Sequence, residues 1–480
     1  MHVSSFEYEK PGEKCAVAAV AGEGAAELVA EELFALQHRG PEASGIASQR
    51  ADGSIESHRR PGLVRDVYHA EDIARLTGNL AIGQNKYSTN GSKDRHLQPV
   101  LDEPTGFALG HNGNLPVTKQ LETFLGKHNI NTAQLNDSEM MGLAIAQYIR
   151  NGHDIADSVE LAYPMFRGAF SSVALHDGLV VAFRDPKGIR PLALGSFDGG
   201  HTFASETCGL DIVDAEYLRE VQPGEMVVLS ESGIEETRQL ADGEEKLDIF
   251  EFVYFARHDS LLYGQRVNEV RRRFGEQLAE QHPPTVDDVA NILVVPVPDT
   301  SLPAAEGYAD RLGLKHRQAI IKNRYIGRTF LQPTQQQRHT QLRRKHTLIP
   351  EAVKDRDIIL IDDSIVRLNT IPRLVEQARQ AGARSVSVLI ASPPVRFPDF
   401  YGIDTPKQSE LAAANMTVEA MRREIKAKYL GYLSLGRMVA ATELPAEKFN
   451  LSSFTGEYPI GIGHRKDEIG APVSMEFADS

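Results

Sequence analysis

The 480-residue chain holds only two cysteines, Cys15 and Cys208, and no tryptophan. Two thiols are too few for a disulfide framework or a cysteine-rich metal site, and a lone cysteine is most often a small buried hydrophobe. No apolar run approaches the length that spans a bilayer, and the opening MHVSSFEYEKPGEK lacks the hydrophobic stretch of a secretory signal. Positive charge is scarce as well. Lys and Arg number 52 against 66 Asp and Glu, a formal charge of −14, which disfavours nucleic acid or an anionic membrane surface as a partner. These absences point to a cytoplasmic chain with neither kind of partner. What remains is ordinary globular composition, 41% hydrophobic and 25% charged, over a length that suits two large domains.

The first half reads as strands. CAVAAVAG, NLAIGQNKYST, GFALGHNGN, FSSVALHDGLVVAFRD and EMVVLSESGIEE are short apolar stretches bounded by Gly, Asn and Asp. AAELVAEELFALQHRG and DSEMMGLAIAQYIRNG have helical periodicity and stop at glycine. Strand runs with a few helices predict stacked sheets covered by helices. Around ADGEEKL the chain turns acidic, which sets a domain boundary between 240 and 248. Beyond it ILVVPVPD, IILIDDS and SVSVLIASPP are continuous apolar runs, as in fully buried parallel strands, and AAEGYADRLG and IPRLVEQARQAG lie between them as helices. That alternation predicts a doubly wound α/β domain.

Between Arg311 and Pro350 stand ten Lys or Arg and no Asp or Glu. In an acidic chain this is either a basic surface loop or the wall of a pocket for a strongly anionic small molecule, and its place between two sheet strands favours the pocket. IILIDDSIVRLNT, residues 358–370, puts two aspartates at a strand end, ahead of a turn and a helix that Pro372 helps to open. Ligands of open α/β sheets bind at such ends, where the carboxylates can grip ribose hydroxyls or Mg²⁺ and the turn can hold a phosphate. Alone, DDS would read as a helix cap.

It is not alone. The segment resembles the phosphoribosylpyrophosphate loop of type I phosphoribosyltransferases, in the form found in glutamine phosphoribosylpyrophosphate amidotransferases. VPVPDTS (295–301), IKNRYIGRTFLQP (321–333), LRRK (342–345) and SPPVRFPDFYGID (392–404) carry the same likeness in the same order. The resemblance implies that Asp362 and Asp363 hold the ribose and Ser364 to Thr370, including Arg367 and Asn369, hold the 5′-phosphate. It puts Asp299, Thr300 and Ser301 near the pyrophosphate, and Arg324, Tyr325, Arg328 and Lys345 on a mobile loop that closes over substrate. Mg²⁺ would come with the substrate, through Asp362 and Asp363 and with Ser301 as a further oxygen.

The N-terminal half resembles the glutaminase domain of the same family, of the N-terminal-nucleophile hydrolase type, through KCAVAAV, LQHRGPEASGI (36–46), LGHNGNL (109–115) and NDSEMM. By itself HNGN would be an ordinary tight turn. The resemblance implies removal of a leader, residues 1–14, so that Cys15 becomes the nucleophile and its freed α-amine the base. Asn112 and Gly113 would donate to the oxyanion, and Arg39, Lys86, Tyr87 and Asp137 would bind glutamine. The implied domains are a glutaminase over 15–245 and a phosphoribosyltransferase with a C-terminal helical extension over 246–480.

Departures from the family pattern are specific. Lys86 stands in place of arginine, keeping the charge but losing the two-pronged fork, and Ala16 replaces a glycine. Leu368 and Asn369 replace Gly-Thr in the phosphate loop. Positions that carry iron–sulfur cysteines in some members read Asp248, Asp399 and Ser453, so no cluster is expected, while Cys208 in ASETCGLD reads as structural. The resemblance implies the committed step of purine synthesis, inhibition by purine nucleotides, and a homo-tetramer or homodimer. The departures leave two alternatives open: a catalytically impaired or regulatory paralogue, and an amidotransferase with an altered acceptor.

Overall fold

The strand Cys15–Gly22 shows how the first half is built. All eight residues are buried, with Val17, Ala19 and Ala21 on one face and Ala18 and Val20 on the other. Both faces are covered, so the strand is a continuous run of small apolar residues without polar alternation. In the computed structural model, which describes residues 15–86, 96–284, 289–323, 346–403 and 407–473, this strand is central in a seven-stranded antiparallel sheet. The sheet runs in the order Glu216–Glu220, Ala193–Phe197, Gly200–Ala204, Cys15–Gly22, Leu80–Lys86, Ala43–Gln49, Ile55–Pro61.

Val17, Ala19, Ala21 and Ile82 meet Ala108, Val173, Ala182 and Val227 of a second, six-stranded antiparallel sheet. Its order is Gly233–Gln239, Glu225–Ser230, Leu179–Arg184, Arg167–His176, Phe107–Val117, Val100–Asp102. The helix Ala25–Ala35 covers the outer face of the first sheet through Ala25, Val29 and Leu33. Asp137–Arg150 and Ile155–Ala162 cover the second through Met140, Met141, Ile145 and Val159. The result is helix, sheet, sheet, helix, the predicted arrangement; Ala25–Ala35 and Asp137–Arg150 fall where the sequence predicts helices, and Ile155–Ala162 is a further one.

After Gln239 the chain leaves the second sheet, crosses the ADGEEKL stretch, and at Leu247–Asp248 pairs in parallel with Phe449–Asn450 near the other end of the chain. Beyond lies a five-stranded parallel sheet in the order Lys315–His316, Ile292–Pro296, Asp357–Asp362, Ser385–Ile390, Leu430–Tyr432. Ile359 and Ile361 enter one core while Ile358 and Leu360 enter the other, so the central strand is apolar throughout. The helices Leu302–Leu312 and Ile371–Gln380 fall where AAEGYADRLG and IPRLVEQARQAG predict them. No helix among the described residues is long and apolar enough to cross a membrane.

Candidate active site

Cys15 opens its strand at 7% exposure, in register with Lys86 of the neighbouring strand. Burial lowers the Lys86 pKa, while the charges of Cys15, Glu139 and Asp137 pull it back up, so this ammonium lies among acidic groups near the thiol. It donates to the His96 carbonyl. Asp137 is the first residue of its helix and accepts the Leu115 amide at 3.0 Å and the Ser138 amide at 2.9 Å. That start is fixed by a capping box in which Asn136 accepts from the Glu139 amide at 2.8 Å and Glu139 accepts from the Asn136 amide at 2.9 Å. The carboxylate therefore lies two residues from Gly113, against the same backbone.

The strand Phe107–Val117 carries the expected oxyanion donors, with Asn112 opposite Ser171 and Gly113 opposite Phe170. The Asn112 amide lies 3.5 Å from Ser205 Oγ, and that hydroxyl accepts the Val17 amide at 2.9 Å. Ser205 thus ties the Asn112 strand to the Cys15 strand at Val17, two residues beyond Cys15. A Cβ on Gly113 would sit 2.0 Å from the Ala169 carbonyl, so only glycine fits there. His111 is buried, which pushes its pKa down and keeps the ring neutral beside Ser138 Oγ at 2.8 Å.

Arg39 is fully buried. Its Nε donates to the Cys15 carbonyl at 3.4 Å, and its Nη atoms pair with Glu206 and, at 2.9 and 2.7 Å, with Glu251. Burial pushes the Glu206 carboxyl up, but His38 and Arg39 hold it well below the usual carboxylate range. Arg39 touches the Cys15 main chain while its head is engaged by acids. Tyr87 lies outside the described residues. Cys208 is buried, with Sγ 3.8 Å from Glu206, and burial pushes its thiol pKa up.

In the parallel sheet, Pro296 is in register with Ile361, so the turns holding Asp299–Ser301 and Asp362–Ser364 leave adjacent strands at the same carboxyl edge. Asp362 and Asp363 are buried; Asp362 accepts the Asp363 amide at 2.9 Å and Asp363 accepts Ser364 Oγ–H at 2.7 Å. Lys322 Nζ reaches Asp299 at 3.1 Å, Thr300 is half-buried beside it, and buried Ser301 donates its hydroxyl to the Val297 carbonyl. Arg367 pairs with Glu410 at 2.6 Å, Asn369 is exposed, and Thr370 immediately precedes the helix whose first turn contains Pro372. Arg324, Tyr325, Arg328 and Lys345, with most of the basic tract, lie outside the described residues.

Residues 85–211 match the glutamine amidotransferase domain family. An amidophosphoribosyltransferase from Synechococcus elongatus is 41% identical over 463 residues, covering 95% of this chain and 93% of that one. The chain belongs to the amidophosphoribosyltransferase family. The Archaeoglobus fulgidus member is 36% identical over 92% of this chain and 96% of its own. Among solved structures, the B. subtilis glutamine phosphoribosylpyrophosphate amidotransferase, complexed with ADP and GMP, superposes with a TM-score of 0.85 at 33% identity, covering 94% of this chain and 98% of that one. A structure described as the allosteric regulatory enzyme of purine biosynthesis gives 0.86 at 33% identity, over 95% and 98%. As in this family, an N-terminal-nucleophile sandwich precedes a type I phosphoribosyltransferase sheet.

Sequence reasoning missed Ser205, Glu206 and Glu251. Glu251 had a legible signal: it is the lone acid inside the apolar run IFEFVYF, and a charge buried in such a run needs a cationic partner. Ser205 had none, since a serine in a strand-end turn is ordinary.

Proposed function

We propose that this chain converts phosphoribosylpyrophosphate, glutamine and water into 5-phosphoribosylamine, glutamate and pyrophosphate, the first step of purine synthesis. The observation that carries it is the pairing, in one chain, of a cysteine strand tied through Ser205 to the Asn112 strand with a carboxyl-edge Asp362–Asp363 pair. The division is a leader over 1–14, a glutaminase over 15–245 and a phosphoribosyltransferase over 246–480.

The Cys15 thiolate attacks the amide carbon of glutamine, whose ammonium Asp137 receives and whose carboxylate Lys86 and Tyr87 receive. The freed Cys15 α-amine takes the thiol proton and returns it to the amide nitrogen, while Asn112 and Gly113 donate to the oxyanion as the C–N bond breaks. Ammonia leaves, and water hydrolyses the thioester to glutamate. Ammonia then forms a bond to C1 of the ribose as the bond to pyrophosphate breaks. Asp362 and Asp363 orient the ribose hydroxyls, Ser364, Arg367, Asn369 and Thr370 surround the 5′-phosphate, and Asp299, Thr300 and Ser301 border the pyrophosphate. The family resemblance assigns Arg324, Tyr325, Arg328 and Lys345, which lie outside the described residues, to covering it, and covering would exclude water from an electron-poor C1.

Among the described residues no three His, Cys, Asp or Glu group as a metal site. Two carboxylates at a strand end do fit Mg²⁺ that arrives on substrate phosphates, with Asp362, Asp363 and Ser301 as its oxygen donors. When bound, it neutralises charge on the departing pyrophosphate. Asp248, Asp399 and Ser453 offer oxygen and no thiolate, which does not fit an iron–sulfur cluster. The enzyme is cytoplasmic, a homodimer or homo-tetramer, and inhibited by purine nucleotides; the ADP and GMP in the B. subtilis structure support the last of these.

The test is pyrophosphate release from Mg–phosphoribosylpyrophosphate with glutamine or ammonium. Wild type should use both, and Cys15→Ala only ammonium. Release with neither source would sink the reading in favour of a regulatory paralogue or an altered acceptor.

A further inference from the structure

The oxyanion glycine is held from both domains. On one side of Gly113 is the Ala169 carbonyl of its own sheet; on the other is Gly402, where a Cβ would lie 3.2 Å from the Gly113 Cα and 3.3 Å from its carbonyl carbon. Gly402 has φ +125°, a conformation that side-chain-bearing residues rarely adopt. Next to Gly113, Asn114 Nδ2 donates to the Phe400 carbonyl at 2.8 Å. Phe400 and Tyr401 are buried in one cluster with Ala169 and Ile189 of the sandwich.

The segment that makes these contacts is braced. Asp399 accepts the Tyr401 and Ile403 amides, each at 2.8 Å, which folds residues 399–403 into a tight loop. The Ser453 carbonyl accepts the Arg396 and Phe397 amides at 3.0 and 3.1 Å, and Tyr458 donates to the Pro398 carbonyl at 2.7 Å. At its other end the segment continues from the strand Ser385–Ile390, where the Ala391 amide donates to the Asp362 carbonyl at 2.8 Å. One continuous connector therefore begins on the ribose-binding aspartate and ends against the oxyanion glycine.

We infer that Gly402, with the Phe400 carbonyl, is a positioning element for glutamine hydrolysis: the second domain sets where the Gly113 N–H points. This rests on the glutaminase reading above. Oxyanion donors work only when preset to within a fraction of an ångström of the developing charge. A methyl at 402 must push Gly113 by a few tenths of an ångström or distort the loop that holds it.

The experiment is Gly402→Ala and Asn114→Ala, singly and together, in the full chain. Glutamine-dependent kcat should fall roughly 10- to 100-fold in Gly402→Ala, by analogy with loss of an oxyanion donor. KM for glutamine should stay within about threefold, and ammonium-dependent pyrophosphate release and the rate of Cys15 alkylation by iodoacetamide should stay near wild type, since these need no oxyanion hole. The double variant should lose less than the product of the two single losses, because both act on one contact. Asn114→Ala alone carries the test if Gly402→Ala does not fold. Equal loss of glutamine- and ammonium-dependent rates, or no loss of either, overturns the inference. A wild type that releases no pyrophosphate with glutamine overturns the functional reading itself, a separate result.

Discussion

Leucine at 368 sits where the resemblance puts glycine, and the surrounding geometry accommodates it. No residue from Ser364 to Thr370 has a positive φ, so the conformational freedom of glycine is not used in this loop. The Leu368 side chain packs against the cluster containing Val295, Leu360, Ile371 and Leu374. It therefore belongs to the core beneath the loop. Leu368→Gly should cost about 1–2 kcal/mol of stability, from lost partial burial and added chain entropy. KM for phosphoribosylpyrophosphate should stay within about threefold. Denaturant unfolding and steady-state kinetics check both; a tenfold tightening of substrate would mean that the leucine obstructs the phosphate after all.

Elements were legible in the sequence wherever burial was two-sided or periodicity was long. CAVAAVAG and IILIDD are apolar because both faces are covered, and the helices Asp137–Arg150 and Ile371–Gln380 show clean stripes. The strand Ile55–Pro61 was not legible. IESHRRP is a polar sheet edge, half-buried or exposed throughout, and its charges guard against pairing with other chains. The irregular connector 391–403 was recognised as a likeness but not as a brace, because its function lies in main-chain contacts that side-chain identity does not encode. The same applies in part to Asp137, whose aim depends on where its helix begins. Asn136→Ala removes the cap that sets that start, worth about 1 kcal/mol. Loosening Asp137 should raise KM for glutamine several-fold while leaving ammonium-dependent turnover unchanged. An unchanged glutamine KM with the expected stability loss would mean that the carboxylate is held by the Leu115 and Ser138 amides alone.

At the scale of the molecule, the two halves are joined by buried charge as well as by apolar packing. Glu251, at the head of a π-helical turn Glu251–Phe255 in the second half, meets Arg39 at 2.7 Å and Arg190 at 3.2 Å, and all three are essentially inaccessible to water. Glu206 adds hydrogen bonds from the Arg257 amide at 2.9 Å and Ser260 at 2.6 Å across the same seam. Arg190 Nε and Nη1 have no hydrogen-bond partner among the described residues, so Glu251 is the carboxylate that compensates this guanidinium. Asp248 also lies within electrostatic range of Arg190, but burial and its neighbour Asp399 push its carboxyl well above the usual range, which makes it a poor counter-ion. Replacing Glu251 by alanine would thus strand one buried cation and cost Arg39 both of its hydrogen bonds to Glu251. Removing one partner of a buried pair typically costs about 3–5 kcal/mol, far more than the pair contributes over an apolar substitute. Because the lost contacts lie on the seam, Glu251→Ala should uncouple the halves: calorimetry should resolve two unfolding transitions, where wild type shows one or a narrower pair, with the earlier one shifted down. Glu251→Gln keeps the shape and some hydrogen bonding and should fall between. An unfolding profile for Glu251→Ala that matches wild type would mean that the seam is held by its apolar contacts, and that the buried acid serves only to orient Arg39 behind Cys15.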